Sequence, residues 1–372
     1  MTTEKVQNSK KEPLVRVVKR GEAMPLWKCI SIRAGAILAA LVLNALFVYL
    51  VIGLDPISMY SQMFRGTFGN KIFTWKTIAT TVKLLCIAIA LAAAFKMKFW
   101  NIGGEGQVLV GALATAIVMN KVGDSVPSIV LFLLMALASI VAGGIWGVIP
   151  AIFKAKWNTN ETLFTLMMNY VAIQLVSYFC NKWKGQASTL GKLNVTTQAG
   201  WFPEILGQRY TINVIVVLVL MVLMYIYLSK TKQGYEIAVV GESQNTARYA
   251  GINVKKVIIR TMIISGAICG LCGFLNVAGQ DQTISTATAG GFGFTAIIVA
   301  WMANFNTLIM LLISLFIVFL QNGTAQIANK YSSFSTSASS IVIGIILFFV
   351  IGCEFFIRYK LVFRSKSATK GE

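Results

Sequence analysis

The sequence has no histidine, which excludes imidazole acid–base chemistry and histidine metal sites. Charge is scarce too: 12% of the 372 residues are Asp, Glu, Lys or Arg, against roughly a quarter in a soluble domain. Acidic groups are the scarcer sign, 13 against 33 basic ones. Asp55, Asp124 and Asp281 fall in loops without partner motifs, so a membrane-embedded enzyme has little to work with. The six cysteines form no disulfide framework: Cys86, Cys180, Cys269, Cys272 and Cys353 lie within or beside apolar runs, where cysteine packs as a small hydrophobe. No metal-ligand set is present.

What the chain does have is apolar length. Hydrophobic residues make up 56% of it, the mean hydropathy is +0.72, and charges cluster between apolar runs of about twenty residues, the length that crosses hydrocarbon as helix. The reading is an all-α polytopic membrane protein of about ten transmembrane helices, at 34–54, 75–95, 102–120, 127–149, 161–181, 211–229, 257–279, 290–304, 307–328 and 339–357. Residues 1–33 form a basic tail lying on anionic lipid and partly disordered, 34–357 the membrane domain, and 358–372 a second tail. The net charge of +20 reflects positive-inside anchoring; no basic stripe interleaved with aromatics marks a nucleic-acid surface. Lys96, Lys98, Lys154, Lys156 and the basic 230–260 loop place those loops, and with an even span count both termini, in the cytoplasm. The loop at 182–210 is external but carries Lys182, Lys184, Lys192 and Arg209, a partial exception that its length excuses.

Spans three and eight each open on a glycine cluster, Gly103-Gly104-Glu105-Gly106 and Gly290-Gly291-Phe292-Gly293. Paired glycine-interrupted segments point to two pseudo-repeated halves with irregular helices at a transport pathway. In Asn101-Ile-Gly-Gly-Glu-Gly-Gln107, Glu105 and Gln107 begin an apolar helix, where a carboxylate needs partners or water. The segment reads either as a buried polar hinge at the pathway or as an N-cap cluster ending the turn after Trp100. Asn169, Asn276 and Gln280 are further polar side chains set in or beside spans, and they join Asn101, Glu105 and Gln107 as candidate pathway residues or, equally, as interhelical hydrogen-bond partners.

The loop after span six is longer than a connector requires. Glu242–Ala250 reads as a short amphipathic helix opened by Ser243 or Asn245 and closed by Gly251. Such a helix projecting from a membrane domain needs a partner surface to cover its small and apolar positions. The nearest thing to a phosphate loop, Gly185–Leu193, has one residue too many and Leu where Ser or Thr should hold magnesium.

At this point the chain resembles the ABC-importer permeases of the branched-chain amino acid/ribose/nucleoside class, closest to the purine-nucleoside (simple sugar) branch. Gly234, Val240-Gly241, Ala247-Arg248-Tyr249 and Gly251-Ile252-Asn253-Val254 resemble that family's ATPase-coupling segment. Asn101–Gln107, Asn160-Glu161-Thr162 with Met168-Asn169-Tyr170, and Gly291–Thr295 with Ile298-Val299-Ala300 resemble three further signatures. The order holds over residues 35–357. Trp100 stands where relatives have Phe, Ser243-Gln244 where they have Asn-Pro, and Lys83 where they often have proline.

The resemblance implies a non-catalytic membrane subunit of the bacterial cell membrane that imports nucleosides or a related sugar-like solute. It implies a separate ABC ATPase that uses ATP and Mg, a second homologous permease, and an external substrate-binding lipoprotein; this chain binds no cofactor itself. The coupling segment is 234–254, with Gly234, Tyr235, Glu236, Val240, Gly241, Glu242, Ala247, Arg248, Tyr249, Gly251 and Ile252 as its contact residues. The alternative is a secondary transporter driven by an ion gradient. That reading needs acid–base pairs at midplane, where only Lys83 lies deep in a span.

Overall fold

The computed structural model describes residues 15–20, 24–205 and 207–363. Residues 1–14 and 21–23 of the expected N-terminal tail, and 364–372 of the C-terminal one, lie outside the described residues. In chain order the elements are β1 (Val15–Lys19), α1 (Leu26–Phe47), α2 (Pro56–Phe68), α3 (Lys71–Lys96), α4 (Gly104–Val122), α5 (Ser128–Trp157), α6 (Glu161–Trp183) and α7 (Thr211–Lys230). There follow α8 (Lys232–Glu242), α9 (Gln244–Tyr249), α10 (Val254–Leu275), α11 (Phe292–Met302), α12 (Thr307–Lys330), α13 (Thr336–Arg358) and β2 (Tyr359–Phe363). Two π-helical turns extend α1 and α10, at Val48–Ile52 and Asn276–Asp281.

Among the described residues eight helices, not ten, are long and apolar enough to cross a membrane: Trp27–Ile52, Lys71–Lys96, Ser128–Trp157, Glu161–Trp183, Thr211–Lys230, Val254–Asp281, Thr307–Lys330 and Ser337–Ile357. The spans expected at 102–120 and 290–304 are α4 and α11. Glu105 and Gln107 at one end of α4, with Asn120 and Lys121 at the other, dilute its apolar character. The 11 residues of α11 reach only about 16 Å, half the hydrocarbon thickness.

The chain divides into two compact units, Phe64–Gly323 and a second made of Met1–Met63 with Thr324–Glu372. In the larger unit α3 is the hub, 89% of its most apolar stretch being covered by protein, against 28% for α5. Its first turn is capped by Asn70, whose side-chain oxygen accepts from the Phe73 N–H at 2.8 Å. Helices α4, α5 and α10 approach almost backbone to backbone. A methyl group at Gly143 would strike the Gly266 carbonyl, and one at Gly147 would stand 2.6 Å from the Met262 carbonyl. Small residues suit such interfaces because lipid supplies no hydrophobic drive between helices, leaving close packing to hold them.

The segment 184–205 folds back on the far end of α10. Its Leu193 and Phe202 N–H groups donate to the carbonyls of Gln282 (2.9 Å) and Ala278 (3.0 Å), and Phe202 meets Phe274 edge to face at 5.4 Å. In the smaller unit α1 packs on α13, with Asn44 donating to the Val342 carbonyl at 3.2 Å. Strand β1 pairs antiparallel with β2, Val15 opposite Phe363 and Lys19 opposite Tyr359, so part of each expected tail is strand. At the start of α2, hydrogen bonds from the Ser58 hydroxyl and N–H hold the Asp55 carboxyl below its ordinary value.

Candidate functional site

The six candidate pathway residues separate into two places. Four of them form a knot around the N-termini of α4 and α11. A helix leaves its first four N–H groups without intrahelical acceptors, and here side chains from other elements supply them. The Asn169 side-chain oxygen accepts from the Gly106 N–H at 2.9 Å, while its amide donates to the Ile102 carbonyl at 2.9 Å. The two Glu105 oxygens accept from the Gly291 and Gly293 N–H groups, each at 2.8 Å. One carboxylate thus caps α11 from the first turn of α4, where both helix dipoles favour its charge.

Asn101 and Gln107 exchange amide hydrogen bonds at 3.3 and 3.4 Å, and Asn101 also donates to the Ser265 hydroxyl at 3.3 Å. Thr165 adds a fourth tie, accepting from the Ile102 N–H at 3.2 Å. Asn101, Glu105, Gln107, Asn169 and Thr165 are all buried, and none of their buried polar atoms lacks a partner. The two sequence readings of 101–107 therefore coincide in part: the segment is buried and polar, and it is a cap cluster, for two helices rather than one. The glycine clusters that open α4 and α11 meet at Glu105, a contact the sequence alone did not reveal. Nor did it single out Thr165 or Ser265.

The remaining two, Asn276 and Gln280, lie on the π-helical turn that ends α10. They line a narrow cleft with Ala79, Val82, Lys83, Cys86, Asn213 and Cys272. π turns recur at functional sites because the wider ladder shifts side chains out of register. The cleft holds only about 10 Å³ of space open to a water-sized sphere, about enough for one water molecule and far below the roughly 300–1,000 Å³ of small-molecule sites. Asn276 has only the Cys272 sulfur as a side-chain partner, at 3.8 Å. Asn213 donates to the Leu275 carbonyl at 2.8 Å, but its buried oxygen has no partner. Asn213 was missed in the sequence, although an amide set within an apolar span is the signal that flagged Asn276.

Phe292 links the two places. Its neighbours Gly291 and Gly293 are held by Glu105, and its ring lies 5.6 Å from the Lys83 ammonium.

The segment 234–254 forms two helices rather than the single expected one. Thr231 caps α8, accepting from the Gly234 N–H at 3.1 Å. Ser243 ends α8 and caps α9, accepting from the Thr246 N–H at 3.2 Å. Gly251, at φ 75°, turns the chain after α9, and the Ile252 N–H closes on the Ala247 carbonyl at 2.9 Å. Ile237, Val240, Gly241 and Ala247 face inward, and Glu236 pairs with Arg260 at 2.9 Å. Gly241 lies directly on the Lys96 carbonyl, where any side chain would collide with backbone. Outward stand Tyr235, Glu242, Arg248 and Tyr249, the last 93% exposed. The inner face therefore rests on the turn leading to Asn101, and the outer face is open.

Residues 73–351 match the family model described as branched-chain amino acid transport system / permease component. The guanosine ABC transporter permease protein of Bacillus subtilis is 32% identical over 320 residues, 85% of this chain and 91% of the relative. The glucose ABC transporter permease protein of Haloferax volcanii is 29% identical over 350 residues, 91% of each. The nucleoside ABC transporter permease protein of Lactococcus lactis is 26% identical over 332 residues, 86% of this chain and 89% of the relative.

Proposed function

Because the chain belongs to the family of branched-chain amino acid transport system permease components, we propose that it carries nucleosides across the membrane through the amide-lined cleft beside Lys83. As an ABC importer permease it is a multi-pass subunit of the cell membrane without catalytic chemistry of its own, and ATP is used by its ATPase partner. That membership removes the ion-gradient alternative. A binding protein and the ATPase are the partners such a permease requires.

The observation that carries the substrate reading is the cleft itself. Three amide side chains, Asn213, Asn276 and Gln280, line it together with Lys83. Amides both donate and accept, which suits the mixed edges of a nucleobase and the hydroxyls of a ribose. Two of the three relatives reported above are named for nucleosides and one for glucose, so a sugar is the competing solute. In this reading the narrow cleft is one wall of a path completed by a second, homologous permease. Solute arrives from an external binding lipoprotein, both termini lie in the cytoplasm, and the glycine-opened helices α4 and α11 are counterparts in two halves of the chain.

Coupling is assigned to 234–254. The exposed Tyr249 and Arg248 seat on the ATPase, and ATP-driven closure presses α8 on the Lys96–Met97 turn. From there the movement reaches Asn101, Glu105 and, through Phe292, the cleft. Tyr249→Ala removes an aromatic anchor of the kind worth about 2 kcal/mol or more at interfaces. In cells expressing the whole transporter, ATP-dependent uptake of labelled guanosine is expected to fall at least about tenfold with membrane insertion of the chain unchanged. Normal uptake in that variant would remove the coupling assignment. Uptake of glucose in place of guanosine by the unaltered protein would remove the substrate.

A further inference from the structure

Lys83 sits midway along α3, about 18 Å of helix from either end, and only 9% of its surface is exposed. A cationic side chain this deep in a span is costly unless paired or reached by water. No carboxylate lies within ion-pair distance of it and its ammonium makes no hydrogen bond among the described residues. What surrounds it is the Phe292 ring at 5.6 Å, a weak electrostatic partner, the charge of Asp281 at the end of the π turn, and the cleft. Asn213, also on the cleft wall, is only 6% exposed and keeps its side-chain oxygen unpartnered. Two polar groups, each more than nine-tenths buried, therefore line one opening with bonding capacity left over.

The two are not equivalent. Asn213 offers an acceptor; an ammonium is a donor only, with three N–H groups and no lone pair. A solute that places a carbonyl oxygen near Lys83 completes the site. One of the same shape that places an amino group there sets donor against donor, a repulsive contact of the kind that creates specificity.

We propose that Lys83 sets the solute preference of this permease, favouring nucleosides with a carbonyl at the base edge over isosteres with an amino group there. The proposal rests on the nucleoside reading above. It predicts a preference for inosine over adenosine and for uridine over cytidine at the translocation step, pairs that differ chiefly in that substituent.

The test compares initial uptake of the four labelled nucleosides by the complete transporter, with its own ATPase and binding protein, in the unaltered form and in Lys83→Met. Taking the ratio of carbonyl to amino substrate within each form, then comparing forms, cancels the preference of the binding protein. The ratio is expected to fall about tenfold in Lys83→Met, the scale of one hydrogen bond to a charged group. Lys83→Gln, which can accept as well as donate, is expected to bring the ratio down similarly and guards against misassembly of the first variant. Lys83→Arg, still donor-only, should keep the ratio within about twofold. An unchanged ratio in the Met and Gln variants, or an equal loss for all four solutes, overturns the proposal and leaves the nucleoside reading standing. No uptake of any of the four by the unaltered protein overturns both.

Discussion

Two polar regions share one apolar bundle. At the N-termini of α4 and α11, Asn101, Glu105, Gln107 and Asn169 answer one another and the free helix N–H groups at 2.8–3.4 Å. Three to four turns beyond Ser265 along α10 and its π turn, the cleft at Asn276 and Gln280 has an orphaned Asn213 oxygen, an ammonium without an acceptor, and an amide whose one side-chain partner among the described residues is a sulfur at 3.8 Å. Buried polar groups cost free energy when unpaired. The first region therefore contributes to holding the helices together, while the second draws on the stability of the rest. Burial and polarity are the same in both; the difference is whether the hydrogen bonds are already made. Unmade bonds are what a passing solute can use, and made ones are what a mechanical link requires.

The sharpest way to break that contrast is to empty the satisfied region. Glu105→Ala would leave the buried Gly293 N–H without an acceptor, at about 1–3 kcal/mol, and would also cost the charge-assisted bond to the N–H of the exposed Gly291. Thermal unfolding of the purified subunit is expected to show a loss of about 2 kcal/mol or more, above the average effect of a single substitution. Glu105→Gln keeps one of the two acceptor oxygens and should lie between. A Glu105→Ala protein as stable as the original would mean the knot does not hold α11 in place.

A smaller effect is expected where the coupling helices meet the bundle. Gly241→Ala puts a methyl group against the Lys96 carbonyl, and backbone, unlike a flexible side chain, cannot step aside. Overpacking of this kind costs about 1–3 kcal/mol, here spent on lifting α8 rather than on unfolding the core. Uptake should fall sharply with little change in the unfolding temperature. Equal loss of both would show that α8 is part of the bundle's own stability and not a separable lever.

How far these regions were legible in the sequence follows from how local their causes are. Ser243 and Gly251 were readable as helix caps because capping is decided within a few residues. Helix α8 was not, because Gly234 and Gly241 argue against helix by propensity; both are there because backbone of α7 and of the Lys96 turn comes too close for a side chain. Ten apolar runs were visible, but hydropathy alone did not show that 290–304 contains a helix of only 11 residues. Glu105 stood out as an acid in an apolar helix, while its acceptor role depends on Gly291 and Gly293, nearly two hundred positions away. Lys83 was conspicuous for the same reason, and its surroundings were out of reach for the same reason: they come from α7, the π turn and α11.

The weakest expected change in stability belongs to Asn276, and it tests the contrast from the other side. Its side-chain amide has little to lose, since the Cys272 sulfur at 3.8 Å is a poor acceptor. Asn276→Ala should therefore shift unfolding by less than about 1 kcal/mol. Uptake of guanosine should fall severalfold all the same, because the side chain faces the cleft at the turn where α10 changes its ladder. Equal small effects on both would leave the π turn without a role in solute passage. A stability loss matching that of Glu105→Ala would show that the cleft is held together by its polar side chains after all, and the two regions would then differ in degree only.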